Sequence, residues 1–427
     1  MTPQIKQRIE QIRRGEVPKG YKRTKIGVVL SEWEETRLSR YLVVNSDKNI
    51  SLQYGKEDVF SISGELGLVN QIELLGRSYA GVSVAPYGIV YPNNVVYTKS
   101  PLKANPYGVI KTNKTGKTGI VSTLYAIFRC NDNVCPDFVQ TYFELDQNLN
   151  NYLYPIVNIG AKHDMKISDE NSLKGWVVFP SLDEQKKIAE ILSAQNKLIA
   201  LKEKLVEEKK RQKKALMQQL ITGKKRLPGF SEDRVSLRLK QVAERITRKN
   251  AIANNNVLTI SAQYGLINQF EFFDKEIASE DKSNYYLLMQ NEFAYNKSYS
   301  ANYPFGAIKK LTRYDMGIVS PLYICFRIVG NEVSTEYMEH YFEAGLMNSE
   351  IQSFAQEGAR NHGLLNISVE DFFQSKIVIP PYEEQIAIAK ILSSIAQEID
   401  LLQQTLEQEK RKKKALMQLL LTGIVRV

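Results

Sequence analysis

Three short segments carry residue types that do chemistry when correctly surrounded. Gly116-Lys117-Thr118 ends like a phosphate loop, in which backbone N–H groups and a lysine cradle a polyphosphate. That pattern needs a glycine five residues earlier, where this chain has Lys111. Pro380-Pro381-Tyr382 matches part of the [Asn/Asp]-Pro-Pro-[Tyr/Phe] signature that holds an exocyclic amine for methyl transfer. The residue before it is Ile379, with neither amide nor carboxylate, and Asn105-Pro106-Tyr107 lacks the second proline. No F-x-G-x-G or G-x-G-x-x-G loop for S-adenosylmethionine or a dinucleotide is present. His163, His340 and His362 have no metal-ligand spacing. His163 and His362 both follow a Gly-Ala-basic segment (GAKHDMKIS, GARNHGLLNIS), which reads as a phosphate or base contact or, with more weight, as a connector turn. The odd set Cys130, Cys135 and Cys325 fits neither a disulfide framework nor a four-cysteine zinc site, so free thiols are expected.

The chain around these segments is duplicated. Pro180–Gly223 recurs as Pro380–Gly423 without a gap, half of the positions being identical. Each copy starts after a proline and closes on Thr-Gly, with Gly223 and Gly423 as the residues after the helix end. Ser181 and Glu184 stand at capping-box spacing. Ile388, Leu392, Ile395, Ile399, Leu402 and Leu406 follow a 4-3 spacing that predicts a coiled-coil seam; Ile188, Ile191, Leu198 and Leu205 give a looser one. Each helix is expected to run to about 60 Å. The basic runs Lys209–Lys214 and Lys410–Lys414 are expected to be a solvated charged face rather than a DNA contact.

Between the helices the repeat continues. VFSISGELGLVNQ from Val59 matches VLTISAQYGLINQ from Val257, YTKSPLKANPYGVIK from Tyr97 matches YNKSYSANYPFGAIK from Tyr295, and GIVSTLYAIFR from Gly119 matches GIVSPLYICFR from Gly317. The last pair reads as one core strand, with Cys325 at the place of Ile127 and therefore buried; a helix is expected after each. IEQIRRGEVPKGY near the start resembles MQQLITGKKRLPGF at the end of the central helix. The expected architecture is α+β: two similar globular domains separated by two long antiparallel coiled-coil helices, pseudo-two-fold and circularly organised. The segments are 1–24 (helical piece completing the repeat), 25–178, 179–224 (central helix), 225–378 and 379–427 (C-terminal helix). Lys plus Arg number 57 against 47 Asp plus Glu, a net charge of +10, which suits an anionic partner. No apolar run reaches membrane-spanning length, so a soluble, cytoplasmic protein is expected.

The duplicated Pro-x-x-x-Glu-Gln-x-x-Ile-Ala-x-x-Leu … Lys-x-x-Leu-Met-Gln-x-Leu-[Leu/Ile]-Thr-Gly pattern resembles the specificity subunits of type I restriction–modification enzymes. It is carried by Pro180, Glu184, Gln185 and Gly223, and again by Pro380, Glu384, Gln385 and Gly423. The resemblance implies two target recognition domains, each reading one half of a split duplex DNA sequence. It also implies helices that set the unread spacer and dock two methylation subunits, with restriction subunits joining them. S-adenosylmethionine, ATP and Mg would sit on those partners; this chain would bind no cofactor and catalyse nothing.

DNA readers use Lys and Arg for phosphates and Arg, Lys, Asn, Gln, Ser and Tyr for base edges. The basic, aromatic-interleaved loops before the duplicated core strand are the best candidates. They offer Lys99, Ser100, Lys103, Asn105, Tyr107, Lys111 and Lys114 in the first domain, and Lys297, Ser298, Tyr299, Asn302, Tyr303, Lys309 and Arg313 in the second. Tyr97, Tyr295, Ile110 and Ile308 read as core. Differences between the repeats predict an asymmetric bipartite target. Two alternatives stay open: a single-chain restriction–modification enzyme, and a coiled-coil scaffold without a DNA role.

Overall fold

The structure, a computed structural model, describes residues 2–427 apart from 65, 102–104, 159–164, 166, 262–263, 274–280, 299–302, 355 and 358–364, with the backbone alone at 356–357. The chain forms two compact units. Unit 1 is Met1–Lys202 with Thr405–Val427, and unit 2 is Glu203–Gln404. The boundaries fall inside the two long helices, Leu182–Ile221 and Tyr382–Leu421, so each unit holds part of both.

In unit 1 the core sheet is antiparallel, in the order Leu42–Val44, Tyr125–Cys130, Val95–Thr98, Ile110–Thr112. Unit 2 repeats this order with Ala243–Ile246, Ile324–Ile328, Phe293–Asn296 and Ala307–Lys310. Helices Pro136–Glu144 and Thr335–Glu343 follow, as the sequence predicts. The expected single strand at Gly119 and Gly317 is instead two strands in different sheets. A turn at Ser122 and Ser320 separates them, closed by Tyr125 N–H to Ser122 O (3.1 Å) and Tyr323 N–H to Ser320 O (3.0 Å). Gly119–Val121 pairs with Gly88–Val90, and Met316–Val319 with Tyr286–Met289. Each pair supports a hairpin, Phe60–Ser63 with Gly67–Asn70 in unit 1 and Leu258–Ser261 with Gly265–Asn268 in unit 2.

The helices enter these cores. In unit 1 Trp33, Phe138, Tyr142 and Phe179 pack with Ile188, Ala189 and Leu192 of the central helix and Met417, Leu420 and Leu421 of the C-terminal helix. In unit 2 Phe293, Phe326, Tyr337 and Phe372 pack with Ile388, Ala389 and Leu392 and with Met217, Leu220 and Ile221. The aliphatic letters of the repeated motif are thus domain core. Cys325 is buried in the sheet of unit 2, which pushes its thiol up to about 12. Tyr97 and Tyr295 are buried as expected.

Within unit 1 the two helices run antiparallel, since Arg426 meets Glu184 while Glu409 meets Gln195. The buried stripe of the central helix differs from the expected one. Ile191, Leu198 and Leu205 are exposed (37%, 37% and 41%), whereas Ile188, Leu192, Gln195 and Val206 are buried. The stripe keeps the 4-3 spacing of the other copy but accepts polar residues. Gln195 Nε2 donates to Glu409 Oε2 (2.8 Å) and Lys202 Nζ to Glu409 Oε1 (3.3 Å), which holds that carboxyl below its ordinary range.

The Glu-Gln pair at each helix start makes the tightest links. Gln385 is 1% exposed; its Oε1 accepts from Ser334 N (2.9 Å) and its Nε2 donates to Pro380 O (2.8 Å) and Glu332 O (3.1 Å). Gln185 does the same work toward Cys135 N (3.0 Å) and Pro180 O (3.0 Å). Ser181 Oγ accepts from Glu184 N (3.4 Å), but the Glu184 carboxylate turns away from a capping box toward Trp33 Nε1 (3.3 Å) and Arg426 (3.2 Å). In unit 2 Arg226 donates twice to the fully buried Glu384 (2.8 and 2.6 Å). Replacing Gln385 by Leu keeps the volume and strands buried donors and acceptors. Urea unfolding of the full chain is expected to show a loss of about 1–3 kcal/mol; an unchanged midpoint would refute the clamp.

Candidate nucleic-acid interface

The loop between the second and third strands of the repeat sequence is built by a glycine turn in both units. Gly108 (φ +85°) and Gly306 (φ +78°) donate to Asn105 O and Tyr303 O, each at 3.1 Å. A Cβ would lie 2.1 Å from Thr98 O at Gly108 and 2.3 Å from Asn296 O at Gly306, so only glycine fits. The buried Tyr97 and Tyr295 hydroxyls fix the turn by donating to Tyr107 O (2.9 Å) and Phe305 O (2.7 Å).

Many of the predicted contact residues are spent inside this architecture. Lys99 pairs with Asp169, and its counterpart Lys297 donates to Ile367 O (3.4 Å). Both tie the loop to the segment that closes the domain. Lys111 is 7% exposed; burial lowers its pKa, with Glu144 opposing. Asn105 is buried and donates to Asp146 (3.4 Å), and the Tyr107 ring stands edge-on to Tyr154 at 5.7 Å. Lys309 and Tyr303 form one cluster with Glu343: Lys309 Nζ lies 2.9 Å from the Tyr303 hydroxyl and also pairs with Glu343. Lys114 is exposed but bonded to Asp137 (2.6 Å) and Asn93 (3.0 Å). Ser100 is half-buried, Ser298 is exposed, and Arg313 is exposed with its guanidinium 5.7 Å from the Tyr264 ring. Lys103, Tyr299, Asn302, His163 and His362 lie outside the described residues.

The Gly116-Lys117-Thr118 segment is a side-chain-stapled turn between strands, held by Asn113 Nδ2 to Lys117 O (2.9 Å). Several of the helix cations are paired: Lys209 with Glu398, Lys210 with Glu207 and Lys413 with Glu144. No helix of the described residues is long and apolar enough to cross a membrane.

The hairpin and the short helix after it carry an exposed apolar and aromatic surface that is not among the expected contacts. In unit 1 Leu66, Ile72, Leu74, Leu75 and Tyr79 are exposed, with Arg77 over Tyr79 at 4.6 Å; in unit 2 Tyr264, Phe270, Phe272 and Phe273 are exposed. Its signal was the repeat itself, where Leu66 and Tyr264 occupy one position in the aligned hairpins.

No family model matches the chain. The putative type I restriction enzyme MjaX specificity subunit of Methanocaldococcus jannaschii is 27% identical over 259 residues, 59% of this chain and 59% of that protein, so the match spans less than two thirds of the relative. A type I restriction-modification S subunit from M. genitalium aligns with TM-score 0.53 and 12% identity, over 91% of this chain and 96% of that one. A chain from a structural study of complex assembly and conformational transition in a type I R-M system gives TM-score 0.53 and 14% identity, over 93% of this chain and 99% of that one. The fold is therefore that of the type I S subunits it aligns with, two similar domains of mixed helix and strand and two long helices. The resemblance drawn from the duplicated Glu-Gln and Thr-Gly motif and the sequence relative point to the same family.

Beside this surface, His340 Nε2 sits 3.1 Å from Ser393 Oγ and is 6% exposed. Burial first, then Lys213 and Lys310, push its pKa down to about 4, against a partial rise from Glu343 and the Ala389 backbone. The unfolded chain takes up this proton near 6.5. The histidine's contribution is therefore complete above about pH 6.5 and fades as pH falls toward 4, by up to about 3 kcal/mol. Unfolding midpoints measured from pH 7 to 4.5 are expected to fall in wild type and to fall less in His340→Asn.

Proposed function

We propose that the protein is the DNA sequence-recognition subunit of a type I restriction–modification complex. Each unit reads one half of a bipartite, asymmetric duplex target. The paired helices set the unread spacer and dock two methylation subunits, to which restriction subunits add. The chain is non-catalytic and binds no cofactor; S-adenosylmethionine, ATP and Mg belong to the partner subunits. Its place is the cytoplasm, with the DNA. The observation that carries this reading is a duplicated domain whose two copies share core and helix attachments yet differ in the side chains they expose at matching positions. Leu66 against Tyr264 is one such difference, and the half-buried Thr115 against the exposed Arg313 is another. Asymmetric exposed residues on a common frame suit two different half-sites.

Among the residues expected to touch DNA, Ser100, Lys114, Ser298 and Arg313 keep surface positions, and we assign contacts to them. Lys99, Lys297, Tyr303 and Lys309 hold the loops in shape. The chain, co-expressed with a type I methylation subunit in a methylation-deficient host, is expected to produce methyladenine in a split, non-palindromic motif. Sequencing that finds no new methylation, with both proteins soluble and associated, would favour the scaffold reading. Duplex binding should weaken steeply with salt, as phosphate contacts require. Removing one heptad, Leu198–Lys204, together with its match Glu398–Gln404, is expected to change the spacer or abolish binding. Altered half-site bases with unchanged spacing would refute the helices' role.

A further inference from the structure

Unit 2 carries an arginine that is exposed, oriented and uncommitted. Arg313 lies in the turn between strands Ala307–Lys310 and Met316–Val319, and its guanidinium rests 5.7 Å from the centre of the Tyr264 ring. Tyr264 stands at the tip of the neighbouring hairpin and is itself 46% exposed. Among the described residues no carboxylate pairs with Arg313. The nearby Glu271 is engaged by the Tyr314 hydroxyl at 3.0 Å, and that hydroxyl in turn accepts from Asn268 N at 3.1 Å. The hairpin and the turn are thus pinned together through Tyr314, the residue after the arginine.

A guanidinium held against an aromatic ring loses conformational freedom but keeps its N–H donors for another partner. In the major groove, guanine offers two acceptors, N7 and O6, at the spacing of those donors. Unit 1 has no such group at the matching turn; its own arginine–tyrosine contact, Arg77 over Tyr79, lies after the short helix instead. Thr115 takes the place of Arg313 and is consumed in its own turn, donating to Asn113 Oδ1 (2.7 Å) and accepting from Lys117 N (3.1 Å); Leu66 takes the place of Tyr264.

We propose that Arg313, oriented by Tyr264, reads a guanine in the half-site of unit 2, and that unit 1 makes no equivalent contact from its matching turn at Thr115. This rests on the DNA-reading function proposed above and names one base contact within it. Tyr264 is a positioning residue: it acts through the arginine.

The test is selection from a randomised duplex library by the full chain in complex with a methylation subunit, comparing wild type with Arg313→Ala, Arg313→Gln and Tyr264→Leu. Wild type is expected to select a split motif with a required G·C pair in one half. Arg313→Ala should relax that one position by about ten- to a hundredfold, leaving the other half and the spacer intact. Arg313→Gln should move the preference there toward adenine, whose N6 and N7 suit an amide. Tyr264→Leu should lower discrimination at the same base while the salt dependence stays as in wild type, which a general loss of stability would not do. A motif whose guanine survives Arg313→Ala, or one without a required guanine in either half, overturns the proposal and leaves the DNA-reading function standing. Selection of no motif by wild type overturns both.

Discussion

A carboxylate buried at the start of each long helix must be met by an arginine arriving from the end of the other long helix. Glu384 is fully buried and takes both donors of Arg226, three residues past Gly223; Glu184 is met by Arg426, three residues past Gly423. A buried charge without its partner is strongly unfavourable, so each helix end is forced beside the start of its neighbour. The adjoining Gln185 and Gln385 then tie that junction to the loop before the domain helix. Helix pairing and domain attachment are thereby one event, and each unit needs segments from both long helices.

Much of this frame was legible in the sequence. The helix ends were marked by Thr-Gly, and both glycines do take the left-handed conformation, φ +77° and +71°. The internal repeat gave the two domains, because equal sequences buried in equal cores fold alike. Other features escaped for physical reasons. The strand at Gly119 was split by backbone hydrogen bonds at Ser122, in a segment whose apolar content reads as continuous. Apolar spacing alone puts the central helix seam through Ile191, Leu198 and Leu205, while the buried face carries Gln195 because Glu409 satisfies it.

The candidate site was less legible than the fold. Charge can be read from a sequence, but its partner cannot. Lys99 meets Asp169 far along the chain, and Lys309 meets Glu343 across the domain. Both read as free cations until folding brings the carboxylates to them. Conversely, Tyr264 in its hairpin reads as one more strand residue, and only the turn that carries Arg313 against it gives it a second meaning.

The polar contact of Gln195 and Lys202 with Glu409 bears on length as well as stability. Along an otherwise apolar stripe, a sliding helix meets nearly equivalent steps at every heptad. Here a slip by one heptad would put Ile188 in the place of Gln195 and take the amide donor from Glu409, or, in the other direction, would put the Lys202 ammonium in the buried place of Gln195. The contact acts as the zero mark on a ruler: it allows one reading of the distance along the helices and penalises its neighbours. A measuring element made only of leucine would hold as firmly and be graduated without an origin.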